Sequence, residues 1–195
     1  MSNARSFARN NMSRFEVLQR EQMSPRQREV ADAIASGPRG GLKGPFLALI
    51  HNPELASRVQ ELGEHLRYNT GLAQPLVEIA ILLTARRWNC DYEWAAHARI
   101  AREAGLRDEV IDAIAVRARP VELHADEALI FDFAEQTLWE GEPSSASFDA
   151  LAVRFGKPAT LDLLAVCGYY TLLAFVLNTA RLPLPAGASP LAPLS

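Results

Sequence analysis

The sequence has few cysteines: there are two among its 195 residues, Cys90 and Cys167. Two thiols cannot build the disulfide framework that is typical of small secreted proteins. The start of the chain also lacks the apolar core of a secretory signal peptide. We therefore predict a cytoplasmic protein whose cysteines stay reduced.

An excess of charge of one sign is absent as well, because 20 basic and 23 acidic residues leave a net charge of −3. No basic stripe follows any candidate helix, which argues against a nucleic-acid partner. The longest uncharged run, residues 163–177, lies between Asp162 and Asn178 and is shorter than the roughly 20 residues that cross a bilayer. It predicts a buried core or interface helix, and no membrane partner.

Helical periodicity dominates the chain, and the alternation typical of β-strands is nearly absent. Ser24 before Pro25, and Asn52 before Pro53, are typical helix starts, with a capping side chain followed by a proline in the first turn. The second of these helices is predicted to end near Tyr68. Its predicted buried stripe is Leu55, Val59, Leu62 and Leu66. The fold class is therefore predicted to be all-α.

The domain organisation is predicted to be simple, with one helical domain over residues 14–182 and no linker long enough to divide it. Residues 1–13 have no core pattern and are predicted to be disordered, with Met12 as an alternative natural start. Residues 183–195 are rich in Pro and Ala and are predicted to form an irregular tail on the surface. The remaining predicted helices cover residues 76–87, 90–104, 107–117, 126–140, 147–155 and 160–181.

Four chemically active side chains fall on two successive predicted helices that a break at residues 88–89 separates. On the second helix Cys90, Glu93 and His97 share one face, because they are spaced i, i+3 and i+7. Glu78 lies in the middle of the first helix among apolar neighbours, where a carboxyl group needs a partner or a raised pKa. Glu93 is placed to order His97 and raise its basicity, as an acid–base pair requires.

Cys90 is open to two interpretations. Its place at a helix N-terminus favours a thiolate, although the neighbouring Asp91 opposes one. Taken alone, a cysteine is usually a small buried hydrophobe, and a Glu93–His97 pair can be a solvated surface contact. Taken together on two successive helices, these residues indicate a site that handles protons.

These residues resemble the motif of the carboxymuconolactone decarboxylase family, which shares a fold with the AhpD-type alkylhydroperoxidases. In that motif a Glu is followed twelve residues later by Cys, then by x-x-Cys or x-x-Glu, then by x-x-x-His; Glu78, Cys90, Glu93 and His97 match it without insertion. The resemblance covers roughly residues 46–114. It implies an AhpD-like helical fold, a homo-oligomer (a trimer or hexamer), and neither a metal nor an organic cofactor.

The second cysteine of the peroxidase branch is replaced here by Glu93. A thiol–disulfide cycle within the motif is therefore unavailable, and Cys167 is expected to be structural. The resemblance then favours a cofactor-independent decarboxylase, or a related lyase or isomerase, that acts on a small carboxylated lactone of the 4-carboxymuconolactone type in aromatic catabolism. It implies that His97 is the proton donor, with Glu78 as a second acid–base group or as the group that orders the histidine.

A carboxylic acid substrate also needs a cationic anchor. Arg86 and Arg87, directly before the motif, are expected to bind the substrate together with Trp94. Arg39 and Lys43, in a glycine-rich loop, are further candidates.

Two alternatives to the decarboxylase stay open. One is an AhpD-like alkylhydroperoxidase of the peroxiredoxin type that uses Cys90 with an external thiol. The other is a non-catalytic oligomeric binding protein, although a buried Glu78 without a purpose would cost stability.

Overall fold

The structure, a computed structural model, describes residues 13–193. Within these residues there are eight α-helices and no β-strand, so the all-α prediction is confirmed. A short 3-10 helix, Arg20–Gln22, comes before them. The helices are α1 Pro25–Ser36, α2 Phe46–Leu49, α3 Pro53–Tyr68, α4 Gln74–Arg87, α5 Asp91–Glu103, α6 Asp108–Ala115, α7 Ala125–Glu140 and α8 Ser145–Ala180.

Two helix starts follow the capping pattern that the sequence predicts. The Ser24 hydroxyl accepts a hydrogen bond from the Gln27 backbone N–H, and the Gln27 side chain accepts one from the Ser24 N–H in return. At α3, Asn52 Oδ1 accepts from the backbone N–H of Leu55. Each contact satisfies a backbone donor that the first turn would otherwise leave unpaired.

The predicted apolar stripe of α3 is wrong in half of its members, because Leu55 and Leu62 are 41% and 46% exposed. The helix instead packs through a face that contains small residues, and it contacts α1, α2 and α8. At Gly63 a Cβ atom would collide with the hydroxyl group of Tyr169 on α8. The buried face of α3 consists of Ala56, Val59, Gln60, Gly63 and Leu66.

Helix α4 lies at the centre of the fold and packs against α5, α7 and α8. Every residue from 76 to 86 is buried, so the polar side chains of this stretch are buried with the apolar ones. Thr84 satisfies its hydroxyl group within the helix by donating to the Ala80 carbonyl oxygen at 2.7 Å. Glu78 and Arg86 instead reach partners outside the helix, His97 and the Ala192 carbonyl oxygen.

Helix α8 is interrupted at Gly156, whose φ of 84° is left-handed, two residues before Pro158. The interruption agrees with the separate predicted helices at 147–155 and 160–181. Among residues 13–193, α8 is the one helix long and apolar enough to cross a membrane by length and composition. Half of its most apolar stretch is buried inside the fold.

Both ends of the described segment contact the helical body. The predicted disordered segment, residues 1–13, lies outside the described residues except for Ser13, whose hydroxyl contacts the Ala180 carbonyl oxygen at 3.2 Å. The tail, described to residue 193, contains no helix. Its Leu191 N–H donates to Asp91 Oδ1 at 3.1 Å, so the tail returns to the start of α5.

Candidate acid–base site

The site forms where α4 and α5 lie side by side. The chain passes from one to the other through Trp88 and Asn89, and Asn89 takes the left-handed conformation (φ 46°) that asparagine tolerates better than most residues. This tight turn brings Glu78 of α4 against His97 of α5. Glu78 Oε2 lies 2.7 Å from His97 Nδ1.

The other polar contacts complete a chain of four side chains. Gln74 Nε2 donates to Glu78 Oε1 at 2.6 Å, which orients the carboxyl group from one turn earlier in α4. On the far side of the imidazole, Nε2 lies 3.3 Å from Glu93 Oε1. Both ring nitrogens of His97 therefore face a carboxyl group, and the contact with Glu78 is the shorter one.

These carboxyl groups decide the charge of His97. Burial by itself lowers the pKa of the imidazole, but the charge and hydrogen bond of Glu78, together with Glu93, outweigh burial and raise this pKa to about 9. His97 is therefore an imidazolium at neutral pH, with an N–H directed at each carboxyl group. The Tyr170 ring lies edge-on to the imidazole, with the ring centroids 5.0 Å apart.

A cavity of about 570 Å³ lies beside this group, within the size range of sites that bind small molecules. Helix α5 forms one wall, the glycine-rich loop a second, and residues 185–188 of the tail a third. The polar and charged side chains of the wall belong to Arg39, Lys43, Arg67, Tyr92, Glu93, His97, Arg99 and Tyr170. The acid–base group thus shares one cavity with a set of cations.

Several polar atoms of this wall are buried without a hydrogen-bond partner among the described residues: Arg39 Nη2, Arg67 Nε and Glu93 Oε2. Arg39 is held in place by donating from Nε to Gln60 Oε1 at 2.6 Å. Its guanidinium lies over the Phe46 ring, 4.4 Å from the centroid. Buried donors and acceptors without partners are costly, and a ligand that carries anionic oxygens would satisfy the arginines.

The sequence indicates Arg39 and Lys43 as candidate cations of the site, but it gives no sign of Arg67. Arg67 lies in the last turn of α3, outside the motif, and nothing in its sequence surroundings marks it. Only the packing of α3 against α8 places it at the cavity. Tyr170 was missed for the same reason, because it lies within an apolar run of α8.

The expected substrate-binding residues Arg86, Arg87 and Trp94 do not line this cavity. Nine positions of helix separate Glu78 from Arg87, which turns Arg87 to the opposite side of α4. Its Nε donates to the Leu138 carbonyl oxygen at 3.0 Å. Arg86 is buried elsewhere, and Trp94 packs against the hydrophobic core.

Cys90 also lies apart from the cavity wall. As the N-cap of α5 it has a non-helical conformation (φ −91°, ψ 92°), so the helical spacing that placed it with Glu93 and His97 does not apply. The thiol is fully buried and packs with Ala174 and Leu177. Burial, with a smaller contribution from the charge of Glu93, raises the pKa of Cys90 to about 12. It is a neutral thiol in an apolar cluster.

Cys167 resembles Cys90 in this respect. It is buried in α8, and burial raises its pKa to about 12. Across residues 13–193, no cluster of three or more His, Cys, Asp or Glu side chains has an arrangement that could hold a metal ion.

A comparison with protein families gives one match. The sequence profile of the carboxymuconolactone decarboxylase family matches residues 53–141, a segment that includes Glu78, Cys90, Glu93 and His97. The resemblance inferred from the spacing of these four residues is confirmed. Among curated proteins, none matches the chain.

Solved structures show the same fold. An alkylhydroperoxidase AhpD core protein from Ralstonia eutropha JMP134 has a TM-score of 0.73 at 22% identity, with 90% of this chain and 93% of that chain covered. A peroxidase-related protein from Silicibacter sp. TM1040 gives 0.72 at 14%, covering 90% and 92%. The debrominase Bmp8 gives 0.67 at 17%, covering 88% and 92%. The carboxymuconolactone decarboxylase family segment therefore lies within an AhpD-like helical fold.

Proposed function

We propose that this protein is a cofactor-independent decarboxylase, or a related acid–base lyase or isomerase, that acts on a small carboxylated lactone of the 4-carboxymuconolactone type. One observation carries the proposal: an imidazolium, His97, is held between two carboxyl groups at the wall of a cavity that also contains four cationic side chains. A proton donor and an anion-binding set are what such a reaction requires.

The cationic side chains would hold the substrate. Arg39 and Arg67 carry buried donors that lack partners among the described residues, and Lys43 adds an exposed ammonium group at the glycine-rich loop. A guanidinium binds a carboxylate through charge-assisted hydrogen bonds, which are stronger than neutral ones. These residues would also offset the two carboxyl groups beside His97, which would otherwise repel an anionic substrate.

The reaction needs one proton. The bond between the ring carbon and the carboxylate carbon breaks, CO2 leaves, and the electron pair passes into the conjugated lactone as a dienolate. His97 then donates its proton to carbon and becomes neutral, and a proton from water restores the imidazolium. We assign the donation to Nε2, because its 3.3 Å contact with Glu93 is looser than the 2.7 Å contact that Nδ1 makes with Glu78. Glu78 keeps the ring oriented throughout.

The alternative, an alkylhydroperoxidase, has less support. Its attacking group would be Cys90, which is a neutral buried thiol with a pKa of about 12 and does not line the cavity. A thiolate is the nucleophile in peroxide reduction. The position three residues later carries Glu93 instead of a resolving cysteine.

The working form is proposed to be a cytoplasmic homo-oligomer, a trimer or hexamer, with a role in aromatic catabolism. Support comes from α8, where several large apolar side chains are exposed although other residues of the helix belong to the core. They include Leu161, Leu164, Leu172 and Phe175. Light scattering tests this part: a monomer at micromolar concentration would contradict it, and Leu164→Glu should lower the measured mass if α8 forms the contact.

A paired assay tests the activity. Purified protein is incubated with a panel of carboxylated lactones and keto acids, and with hydroperoxides plus a thiol reductant, while CO2 release and peroxide consumption are followed. We expect CO2 release that His97→Ala and Glu93→Gln abolish. The matched control is His65→Ala, which removes an exposed histidine that also pairs with a carboxylate, Asp162.

Two outcomes would contradict the proposal. CO2 release that is equal in the wild type and His97→Ala would remove the proposed proton donor. Peroxide consumption that is lost in Cys90→Ser, in the absence of any CO2 release, would establish the alkylhydroperoxidase instead.

A further inference from the structure

A second cavity lies on another side of α4, where the chain between α6 and α7 packs against α7. Its volume is about 220 Å³. Among the residues that line it are Arg86 from α4, Arg117 and Arg119 from the connection, and Glu135 and Trp139 from α7. None of these residues lines the cavity beside His97. We infer that this second cavity is a binding site for a small oxyanion, a carboxylate or a phosphate, and this inference does not depend on the proposed function.

Arg86 is the main evidence. It is 2% exposed, among the largest fully buried side chains of the molecule. Its Nη1 donates to the Ala192 carbonyl oxygen at 3.0 Å, while Nε and Nη2 are buried without a partner in the described part of the chain. None of the ion pairs within residues 13–193 includes Arg86. A buried charge that is not compensated is strongly destabilising, so a missing counter-ion is the simplest physical explanation.

The two unpartnered atoms of Arg86 also indicate what kind of counter-ion fits. Nε and Nη2 form one edge of the planar guanidinium, and their two N–H groups point in nearly the same direction. This edge matches two oxygen atoms of one carboxylate or phosphate group. A chloride ion can contact the same edge but cannot make the two parallel hydrogen bonds.

The neighbouring charges leave the cavity positive. Burial lowers the pKa of Arg86, the charge of Asp91 raises it, and the charge of Arg117 lowers it further. Asp91 already accepts a hydrogen bond from the tail at Leu191, and Arg119 is paired with Asp132. Among the wall residues, Arg86 and Arg117 then carry two positive charges and Glu135 one negative charge, an excess of one positive charge that Asp91, outside the wall, offsets in part.

Arg117 has an unusual backbone conformation for this position. It follows the C-cap of α6 and has a left-handed φ of 58°. Glycine is the residue that this position favours, because a side chain there is strained. The guanidinium lies over the Trp139 ring, 5.0 Å from its centroid, so the strained turn directs a cation to the edge of the cavity. An arginine at a position that favours glycine is consistent with a functional side chain.

The cavity has room for a small ligand. Its volume is several times the roughly 30 Å³ that one water molecule occupies in the liquid. Trp139 and Phe131 supply apolar wall, so a small carboxylate with a short hydrocarbon part fits as well as inorganic phosphate. The two ligands share the oxyanion chemistry and differ in charge and shape, which a titration can separate.

Trp139 provides a local reporter for the test. Full-length protein is titrated with inorganic phosphate and, separately, with acetate, at constant ionic strength set by sodium chloride, while tryptophan fluorescence is recorded. We expect a saturable change with at least one oxyanion that is absent in Trp139→Phe and retained in Trp88→Phe. Phosphate binding tighter than acetate binding would assign the site to phosphate, and the reverse order would assign it to carboxylates.

The arginine variants separate this site from the rest of the surface. Arg86→Met should abolish the response. Arg117→Gln should raise the dissociation constant about tenfold, as expected for the loss of a charged hydrogen-bond donor. Arg58→Gln, an exposed arginine of α3 paired with Glu54, is the matched control and should leave the constant unchanged. If Arg86→Met does not fold, the test rests on Arg117→Gln, because Arg117 is exposed and its replacement should leave the fold intact.

Three results would overturn the inference. The first is the absence of any saturable response to either oxyanion. The second is a response that Arg86→Met or Arg117→Gln leaves intact, or that chloride alone reproduces at equal ionic strength. The third is a response that Arg67→Gln abolishes, because Arg67 belongs to the cavity beside His97.

Discussion

The N-cap and the middle of helix α5 hold two buried polar groups that differ in charge: the thiol of Cys90 is neutral and the imidazole of His97 is protonated. At its start, Cys90 is 0% exposed and packs with Ala174 and Leu177. Two turns later, His97 is 5% exposed and contacts Glu78 and Glu93. Burial without an ionic partner keeps the thiol neutral by raising its pKa to about 12. Burial against two carboxyl groups keeps the imidazole charged, with a pKa of about 9.

Cys90 and His97 belong to one family motif, but they lie in different surroundings. Both are buried to a similar degree, so the difference lies in what surrounds them. His97 has partners from α4 and from its own helix and lies at a cavity wall. Cys90 has apolar neighbours and an N-cap conformation that turns it out of the helical face. Closeness in a motif does not by itself place two side chains in one site.

The largest effect is expected for Glu78→Gln, which leaves His97 buried with a weaker partner. We expect the pKa of His97 to fall, because burial then outweighs the remaining contact with Glu93. If the imidazolium is the proton donor, kcat should fall by about 100-fold or more, within the usual range for general acid–base catalysis. NMR titration of labelled histidine and steady-state kinetics measure the two effects. An unchanged pKa would contradict the role assigned to Glu78.

Arg67→Gln tests the cationic wall that distinguishes the His97 cavity from the surroundings of Cys90. Loss of a charged hydrogen-bond donor to a carboxylate costs about 1.5–3 kcal/mol, which corresponds to a rise in KM of roughly 10- to 100-fold. We expect kcat to change little, because Arg67 would bind the substrate without moving a proton. Arg58→Gln, on the exposed face of the same helix, is the control. A fall in kcat at constant KM would argue against an anchor.

The pH dependence of stability follows from the raised pKa of His97. Its ordinary pKa is 6.5 and its pKa in the folded protein is about 9. The imidazolium therefore stabilises the fold fully below about pH 6.5, and this contribution is lost as the pH rises through about 9. The slope should reach at most about 1.4 kcal/mol per pH unit in the free energy of unfolding.

Urea denaturation of the wild type and Glu78→Gln between pH 6 and 10, a range chosen to span roughly both values, isolates this contribution. Other groups titrate in both proteins, so the difference between the two curves reports on His97. We expect that difference to shrink as the pH rises. A difference that stays constant would show that His97 has the same pKa folded and unfolded.

The smallest effect is expected for Cys90→Ala. Turnover should stay within about twofold of the wild type, because a neutral thiol outside the cavity takes no part in general acid–base catalysis. The free energy of unfolding should fall by about 1–2 kcal/mol, since the change leaves a small void in an apolar cluster. Thermal denaturation and the CO2 assay measure the two quantities. A large loss of turnover would return Cys90 to the active site.

Much of the fold could be predicted from local patterns. The caps at Ser24 and Asn52 act between residues three positions apart, so their contacts are visible in the sequence. The spacing of Glu78 and His97 identified the family segment, because both lie on helices joined by a short turn. The buried stripe of α3 could not be predicted from hydrophobicity, because the small residues Ala56 and Gly63 are buried while Leu55 and Leu62 are exposed.

The sequence by itself determined the all-α class, the helix starts and the pairing of an acid with a histidine, since each of these depends on residues near one another along the chain. Tertiary structure alone decided which charges surround that pair. Arg67 reaches the cavity from α3, residues 185–188 arrive from the tail, and Arg86 turns to a second cavity. The physical reason is that burial and charge depend on neighbours in space, and here those neighbours come from distant parts of the chain.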